Sequence, residues 1–292
     1  MKYKDSELII NKDKSIFHLK LKPEDIAEKI ILVGDPGRVD LIGSFLDSIS
    51  ISKQNREFKT ITGTYKSIPI TVLSSGIGTD NIDIVINELD ALVNIDFDKR
   101  SDKKEHKKLN LIRLGTSGGL QKNLPVGSFL LSEKSIGFDN LLHFYDIDED
   151  EENKEFTSEL KKHFGWPLES HFPYTINGSD ELINKFKNSN CINGVTISAP
   201  GFYGPQGRKL RIPTRYPELN NKIKEFKFSN HKITNFEMES SAIYALSKYL
   251  GHNALTICAI IANRETKDFI GDYKPTIKKL VKLVLDTISN EQ

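Results

Sequence analysis

The stretch Lys29-Ile30-Ile31-Leu32-Val33-Gly34-Asp35-Pro36-Gly37 decides the fold class of this chain. Its aliphatic, β-branched run is typical of a buried strand, and the glycines after it indicate a tight turn into a helix predicted over residues 38–45. Residues 69–75 repeat the pattern, because they lead into Gly76 and Gly78 and a helix predicted over residues 81–93. Strands that alternate with helices favour an α/β fold, in which ligands bind where strands end and helices begin.

The rest of the chain continues this alternation. Further strands are predicted over residues 109–114, 129–131, 194–198 and 254–262, and helices over residues 237–250 and 274–289. Residues 94–108 and 146–154 are dense in charge, and we expect both to be irregular, solvated surface segments, the first as a surface insertion. Because no repeat or low-complexity linker divides the chain, we expect a single domain over residues 1–292.

Composition excludes several classes of protein. The 292 residues are 38% hydrophobic, which is enough for a large core, and 41 basic residues balance 40 acidic ones. This balance predicts neither nucleic-acid nor membrane-surface binding. Cys191 and Cys258 are too few for a disulfide framework, the N-terminal residues lack a signal-peptide core, and apolar runs fall short of the roughly 18 residues of a spanning helix. We therefore expect a cytoplasmic protein.

A paired-glutamate motif is the strongest chemical signal. Glu237 and Glu239 flank one apolar residue, about 30 residues after a segment that contains Gln206 and Arg208. In a cleft, two carboxylates can accept hydrogen bonds from adjacent hydroxyls such as those of ribose, while an amide and a guanidinium suit a polar heterocycle. The residues therefore indicate a nucleoside site. The alternative is that the glutamates are ordinary helix N-terminal acids, which the helix dipole favours.

Two glycine-containing corners carry an arginine each. Gly34 and Arg38 occupy the first, and Arg113 and Thr116 the second. Backbone N–H groups at a helix N-terminus, together with a guanidinium, suit an anion such as phosphate. A turn with a surface arginine would look the same at the first corner, and a structural salt bridge would explain Arg113 at the second. Neither corner is a Walker loop, because no Gly-Lys-Ser/Thr follows.

With these motifs in this order, the chain resembles the nucleoside phosphorylases of the purine nucleoside/uridine phosphorylase superfamily, and most closely its uridine-cleaving members. The resemblance implies a central, mixed, twisted, barrel-like β-sheet flanked by helices. It also implies a pentosyltransferase that cleaves uridine, and by extension deoxyuridine, reversibly to uracil and ribose 1-phosphate in pyrimidine salvage. Inorganic phosphate would be the co-substrate, and no cofactor is implied unless potassium binds.

The resemblance assigns roles to individual residues. Phosphate would bind Gly34, Arg38, Arg56, Arg113 and Thr116. Ribose would bind His18, Glu237, Met238 and Glu239, and the base would bind Phe202, Gln206, Arg208 and Arg264. Arg113, Glu239 and Arg208 would carry the catalysis. Because family members lend the equivalents of His18 and Arg56 across a dimer interface, the resemblance implies a homodimer or a hexamer built as a trimer of dimers.

The chain departs from its relatives at two places that bear on function. Thr79-Asp80-Asn81 stands where relatives have a Pro-Ser pair, so a monovalent-cation site near Glu57, Ile77 and Asn81 is in question. Asn263 lies where purine-cleaving relatives carry an aspartate, which favours uracil over a purine base. The alternatives are a purine nucleoside phosphorylase or nucleosidase of the same superfamily, and a non-catalytic nucleoside-binding relative.

Overall fold

The aliphatic runs that end in glycine form strands in the computed structural model, which describes residues 2–165 and 173–290. The domain limits expected at residues 1 and 292 lie outside the described residues. Strands β1 to β13 are Lys29–Val33, Ser48–Asn55, Phe58–Tyr65, Ile68–Ser74, Ile95–Asp96, Ser101–Asp102, Asn110–Gly119, Phe129–Gly137, Tyr174–Asn177, Cys191–Ser198, Lys227–Phe228, His231–Glu237 and Asn253–Asn263. Helices α1 to α7 are Pro36–Gly43, Thr79–Asn94, Glu151–Phe164, Asp180–Lys185, Leu219–Glu225, Ser240–Tyr249 and Lys274–Ser289.

Eleven of these strands join one mixed sheet. Their order is β11-β12-β10-β8-β13-β7-β1-β4-β3-β2, and β9 pairs with β8 outside this path. The neighbours of β1 are parallel to it, whereas β2, β3 and β4 form an antiparallel meander at one end. β12 also pairs with β7 at Gly118 and Gly119, so the sheet bends back on itself over these strands. The predicted mixed α/β fold with a flanked central sheet is confirmed.

Helices cover the sheet because each presents an apolar stripe at helical spacing. Helix α7 buries Ile277, Leu280, Val281, Val284 and Leu285 in a core shared with β1, β4 and β13. Helices α2 and α6 pack together in a second core. Helices α3 and α5 cover β10 and β12 in a third. Across residues 2–165 and 173–290, the search for a helix with the length and hydropathy of a membrane span finds no candidate.

The boundaries around the motifs differ from the predictions. The helix predicted from residue 237 begins at Ser240, because Glu237 still pairs with Ser198 as the last residue of β12. The strand predicted over residues 109–114 continues to Gly119, because its second half pairs with β13 and β12. The second arginine-containing corner is therefore part of a strand rather than a turn.

Both charged segments contain regular structure. The acidic stretch leads into α3, since Asp150 caps the helix by accepting a hydrogen bond from the Asn153 N–H at 3.0 Å. Acidic residues in the first turn interact favourably with the helix dipole. The segment expected to be irregular therefore includes the start of a helix. The insertion at 94–108 contains the hairpin of β5 and β6, and its residues 103–108 are exposed. Lys103 Nζ also donates to the Val93 carbonyl oxygen at 2.9 Å, at the end of α2.

Tyr244 provides a test of how α6 is joined to the sheet. Its buried hydroxyl donates to the Ser132 carbonyl oxygen at 2.6 Å and accepts from the Thr256 N–H at 2.7 Å. Replacing Tyr244 with Phe leaves both backbone groups unpaired, so we expect the free energy of unfolding to fall by about 1–3 kcal/mol. Denaturant unfolding measures this change.

Tyr203→Phe is the matched control for that measurement. The Tyr203 side chain is exposed, and its hydroxyl makes no hydrogen bond within the described part of the chain. We expect its removal to change stability by less than about 0.5 kcal/mol. Equal losses for the two variants would contradict a bridging role for the Tyr244 hydroxyl.

Candidate active site

A cavity of about 840 Å³ opens at the carboxyl ends of the central parallel strands. β1 pairs with β7 only as far as Leu32 and Arg113, after which β7 continues alongside β13 and leaves space beyond the end of β1. The turns after β1 and β4 meet there closely, since a Cβ on Gly34 would lie 3.2 Å from the Gly76 carbonyl oxygen. The predicted site residues that line this cavity are Gly34, Arg38, Arg113, Thr116, Phe202, Gln206, Arg208, Glu237, Met238 and Glu239.

Arg38 and the start of α1 form one end of the cavity. Asp35 caps α1 by accepting a hydrogen bond from the Gly37 N–H at 2.9 Å, and Pro36 occupies the first helical position. Arg38 Nη1 lies 3.4 Å from the Leu114 carbonyl oxygen. Burial lowers the pKa of Arg38, and the nearby positive charge of Arg113 lowers it further. An anion bound between the two guanidinium groups would relieve this repulsion.

Arg113 is buried between two carboxylates. Its Nη1 lies 3.3 Å from Glu237 Oε2, and its Nη2 donates to Glu239 Oε2. Burial alone would lower the pKa of Arg113, but the charges of Glu239 and Glu237 outweigh it and raise that pKa. The structural salt bridge considered for Arg113 is therefore present, and its partners are the two motif glutamates.

The two glutamates are held differently. Glu237 accepts from Ser198 Oγ at 2.5 Å and from the N–H groups of Glu239 and Ser240 at 2.9 to 3.1 Å. Its oxygens are thus occupied by the protein, which suits a positioning role. Glu239 accepts from Arg113 and, at 2.9 Å, from the Gly78 N–H at the start of α2. Glu239 therefore has acceptor capacity left for a ligand hydroxyl.

A glutamine and two arginines form the opposite end. Gln206 Oε1 accepts from Arg208 Nη1 at 2.6 Å and from Arg264 Nη2 at 3.1 Å. Arg264 Nη1 also donates to the Gln206 carbonyl oxygen. Because both arginines donate to the amide oxygen, the orientation of the amide is fixed and its NH₂ group remains available to donate. Within the described residues, that NH₂ group makes no hydrogen bond.

Aromatic rings support both arginines. The Arg208 guanidinium lies 3.7 Å from the centre of the Phe202 ring, and that of Arg264 lies 4.9 Å from the centre of the Phe236 ring. Such cation–π contacts stabilise guanidinium groups that have lost part of their water. Burial lowers the pKa of Arg264 to about 10, with a smaller contribution from the charge of Arg208. This end of the cavity therefore favours a ligand that carries or develops negative charge.

Three predicted residues lie outside the cavity lining. Arg264 donates hydrogen bonds to Gln206, as described above. His18 Nδ1 lies 2.7 Å from Glu88 Oε1, and Arg56 is exposed at the turn between β2 and β3 with a φ of 54°. The chain does not bring His18 or Arg56 to its own cavity.

The residues of the suspected cation site do line the cavity. Glu57 and Asn81 both lie against Gly76, where an added Cβ would be 2.4 Å from Asn81 Nδ2 and 3.1 Å from Glu57 Cγ. Ile77 lies beside them and is largely exposed. In the described ranges, no group of three or more His, Cys, Asp and Glu side chains has the arrangement of a metal site. A monovalent-cation site here stays a prediction.

Asn263 does not line the cavity. Its Nδ2 donates to the carbonyl oxygens of Gln121 and Leu124 at 2.9 and 2.7 Å, and its Oδ1 accepts from the N–H groups of Glu265 and Thr266. The side chain thus closes the turn after β13. The expectation that Asn263 bears on base choice therefore has no support from a contact of its side chain with the cavity.

Sequence reasoning missed two kinds of residue here. Ser198 at the end of β10 holds Glu237, and Phe269 forms part of the cavity wall. A serine at the end of a predicted strand gives a faint signal, because strand ends approach ligands in α/β folds. Phe269 gives none, because it lies in a connection with no motif.

Comparison with known proteins assigns the family. The model of the phosphorylase superfamily matches residues 28–288. Uridine phosphorylase of Thermococcus kodakarensis is 29% identical over 262 residues, 87% of this chain and 79% of that protein. Uridine phosphorylase of Haemophilus influenzae is 27% identical over 277 residues, 92% of this chain and 96% of that protein.

The solved structures agree with the family model. The Trypanosoma brucei nucleoside phosphorylase, whose structure is reported as showing uridine phosphorylase activity, has a TM-score of 0.87 to this chain at 31% identity. The match covers 97% of this chain and 100% of that one. With a family model spanning most of its length and a structural relative of this similarity, the chain belongs to the phosphorylase superfamily.

Proposed function

We propose that this chain is a phosphate-dependent pentosyltransferase that cleaves uridine reversibly to uracil and ribose 1-phosphate. The relatives named uridine phosphorylase support this substrate. The observation that carries the proposal is that one cavity combines paired arginines, Arg38 and Arg113, with Glu239 and with a Gln206–Arg208 pair. A nucleoside and phosphate need these three kinds of group.

The arginines position the nucleophile. Phosphate between Arg38 and Arg113 would receive charge-assisted hydrogen bonds from both, and Thr116 lines the same cavity. No side-chain nucleophile is required, because an oriented phosphate can attack C1′ of the ribose directly. The protein contributes proximity and orientation, which account for much of the rate enhancement of such displacements.

Glu239 orients the sugar. Its carboxylate, fixed by Arg113 and the Gly78 N–H, can accept from the 2′- and 3′-hydroxyls of ribose. As the glycosidic bond breaks, the sugar develops oxocarbenium character. A preorganised carboxylate stabilises that positive charge without having to reorient during the reaction. Glu237 keeps Arg113 and Glu239 in place.

Gln206 and Arg208 stabilise the leaving group. Uracil departs with negative charge that spreads over its carbonyl oxygens, and an amide NH₂ group and a guanidinium are complementary to that edge. Because the Gln206 oxygen is held by the two arginines, the amide NH₂ group is left to donate to a carbonyl oxygen of uracil.

Neighbouring subunits complete the site in this proposal. His18 and Arg56 lie outside the cavity, so we propose that they act in the cavity of a partner, in a homodimer or a trimer of dimers. We also propose that the enzyme is cytoplasmic and that inorganic phosphate is its only co-substrate. Binding of potassium near Asn81 stays a prediction.

The direct test is the release of free base from uridine, with and without inorganic phosphate, alongside deoxyuridine, inosine and adenosine. We expect phosphate-dependent release of uracil with an equal amount of ribose 1-phosphate, because Arg38 and Arg113 in the cavity suit a phosphate nucleophile. Turnover of purine nucleosides alone, or release without phosphate, would overturn the proposal in favour of the purine phosphorylase or nucleosidase alternative.

Arg208→Ala tests recognition of the base. Losing a charged hydrogen-bond donor costs about 1.5–3 kcal/mol, so we expect kcat/KM for uridine to fall by about 10- to 100-fold. Arg211→Ala removes an exposed arginine three positions away and should leave kcat/KM unchanged. Steady-state kinetics give both values. A similar loss in both variants would count against a specific role for Arg208.

Glu239→Gln tests the ribose contact. The amide keeps the shape of the side chain but loses the charge that pairs with Arg113 and with the developing oxocarbenium ion. We expect kcat for uridine to fall by at least about 100-fold. Glu155→Gln changes an exposed glutamate on α3 and is the control. Unchanged kcat in Glu239→Gln would remove Glu239 from the catalytic machinery.

A further inference from the structure

Phe269 is an aromatic residue of the cavity wall that the proposed mechanism does not use. It lines the cavity, yet its side chain is 67% exposed. Within the described parts of the chain, its ring makes no contact with another ring or with a cation. A large apolar side chain held in water beside a ligand cavity is available for ligand contact.

The backbone holds this ring in a fixed place. Phe269 forms an antiparallel bridge with Ala262, and the Ile270 N–H donates to the Ile261 carbonyl oxygen at 2.9 Å. Ala262 and Ile261 themselves line the cavity. The turn after β13 thus returns along the cavity wall and carries Phe269 with it, so the ring belongs to a paired segment rather than to a free loop.

The other two phenylalanines of the wall are already engaged. One face of Phe202 is covered by the Arg208 guanidinium at 3.7 Å. Phe236 is buried and lies 4.9 Å from the Arg264 guanidinium. Phe269 is therefore the phenylalanine of this wall with the most free aromatic surface among the described residues.

We propose that Phe269 packs against the heterocycle of the nucleoside and holds it on Gln206 and Arg208. This inference rests on the proposed function. A planar base is the occupant that fits, because Phe269 pairs with the end of β13, which leads into Arg264. Arg264 lies at the end of the cavity that the proposed function assigns to the base. The sugar and phosphate ends are instead set by Glu239 and Arg38. Stacking on an aromatic ring adds affinity for a base without adding a hydrogen bond.

The test compares Phe269→Ala and Phe269→Leu with the wild type. We expect Phe269→Ala to raise KM for uridine at least about tenfold while KM for phosphate is unchanged, because only the base loses a contact. Phe269→Leu should lie between, since it keeps apolar area without a ring. An unchanged KM for uridine in Phe269→Ala, or equal increases for both substrates, would overturn the inference.

Leu210→Ala is the matched control. Leu210 is 68% exposed, as Phe269 is, but does not line the cavity. We expect both of its KM values to equal those of the wild type. A uridine KM raised as much as in Phe269→Ala would show a general effect of truncating exposed apolar residues, and would overturn the assignment.

Calorimetric titration with uracil separates this inference from the proposed function. Wild-type binding that weakens in Phe269→Ala supports both. Equal binding by wild type and Phe269→Ala overturns the role of Phe269 and leaves the proposed function intact. A wild type that neither binds uracil nor turns over uridine overturns the proposed function itself.

Discussion

The Arg113 guanidinium, buried between the carboxylates of Glu237 and Glu239, is the interaction on which the site depends. An unpaired buried ion costs several kcal/mol, so each member of this group requires the others. The group joins β7 to the end of β12, and Ser198 and the Gly78 N–H connect it to β10 and α2. Close packing around it also constrains the backbone, because a Cβ on residue 115 would lie 2.1 Å from Arg113 Nη1.

The sheet places this group where a ligand can reach it. β1 stops pairing with β7 at Arg113, and the space beyond it becomes the cavity. Because Glu237 and Glu239 neutralise much of the charge of Arg113, the remaining positive charge at this end of the cavity comes mainly from Arg38 and the start of α1. At the other end, two arginines fix one glutamine. At both ends of the cavity, hydrogen bonds within the protein orient a side chain before substrate binds. Such preorganisation is the condition for electrostatic stabilisation of a transition state.

The sequence predicted the fold class, because aliphatic runs ending in glycine have a periodicity and a turn chemistry that are local. Ten of the thirteen predicted site residues line the cavity, and their roles stay predictions. The sequence did not predict where β7 ends or where α6 begins, because those limits depend on pairing with β12 and β13, which are distant in the chain. Asn263 was expected to bear on base choice, but its amide group bonds to the carbonyl oxygens of Gln121 and Leu124, which are distant in the chain. Phe269 was missed because its position is set by a bridge to Ala262 that no motif indicates.

The central claim is that an oriented phosphate, and not water, attacks C1′. Turnover of uridine in water enriched in ¹⁸O, with unlabelled inorganic phosphate, tests this claim directly. The account predicts that all of the sugar product is ribose 1-phosphate and that its C1′ oxygen carries no label from water. Free ribose formed in step with uracil, in place of ribose 1-phosphate, would contradict it, because that product requires water as the nucleophile.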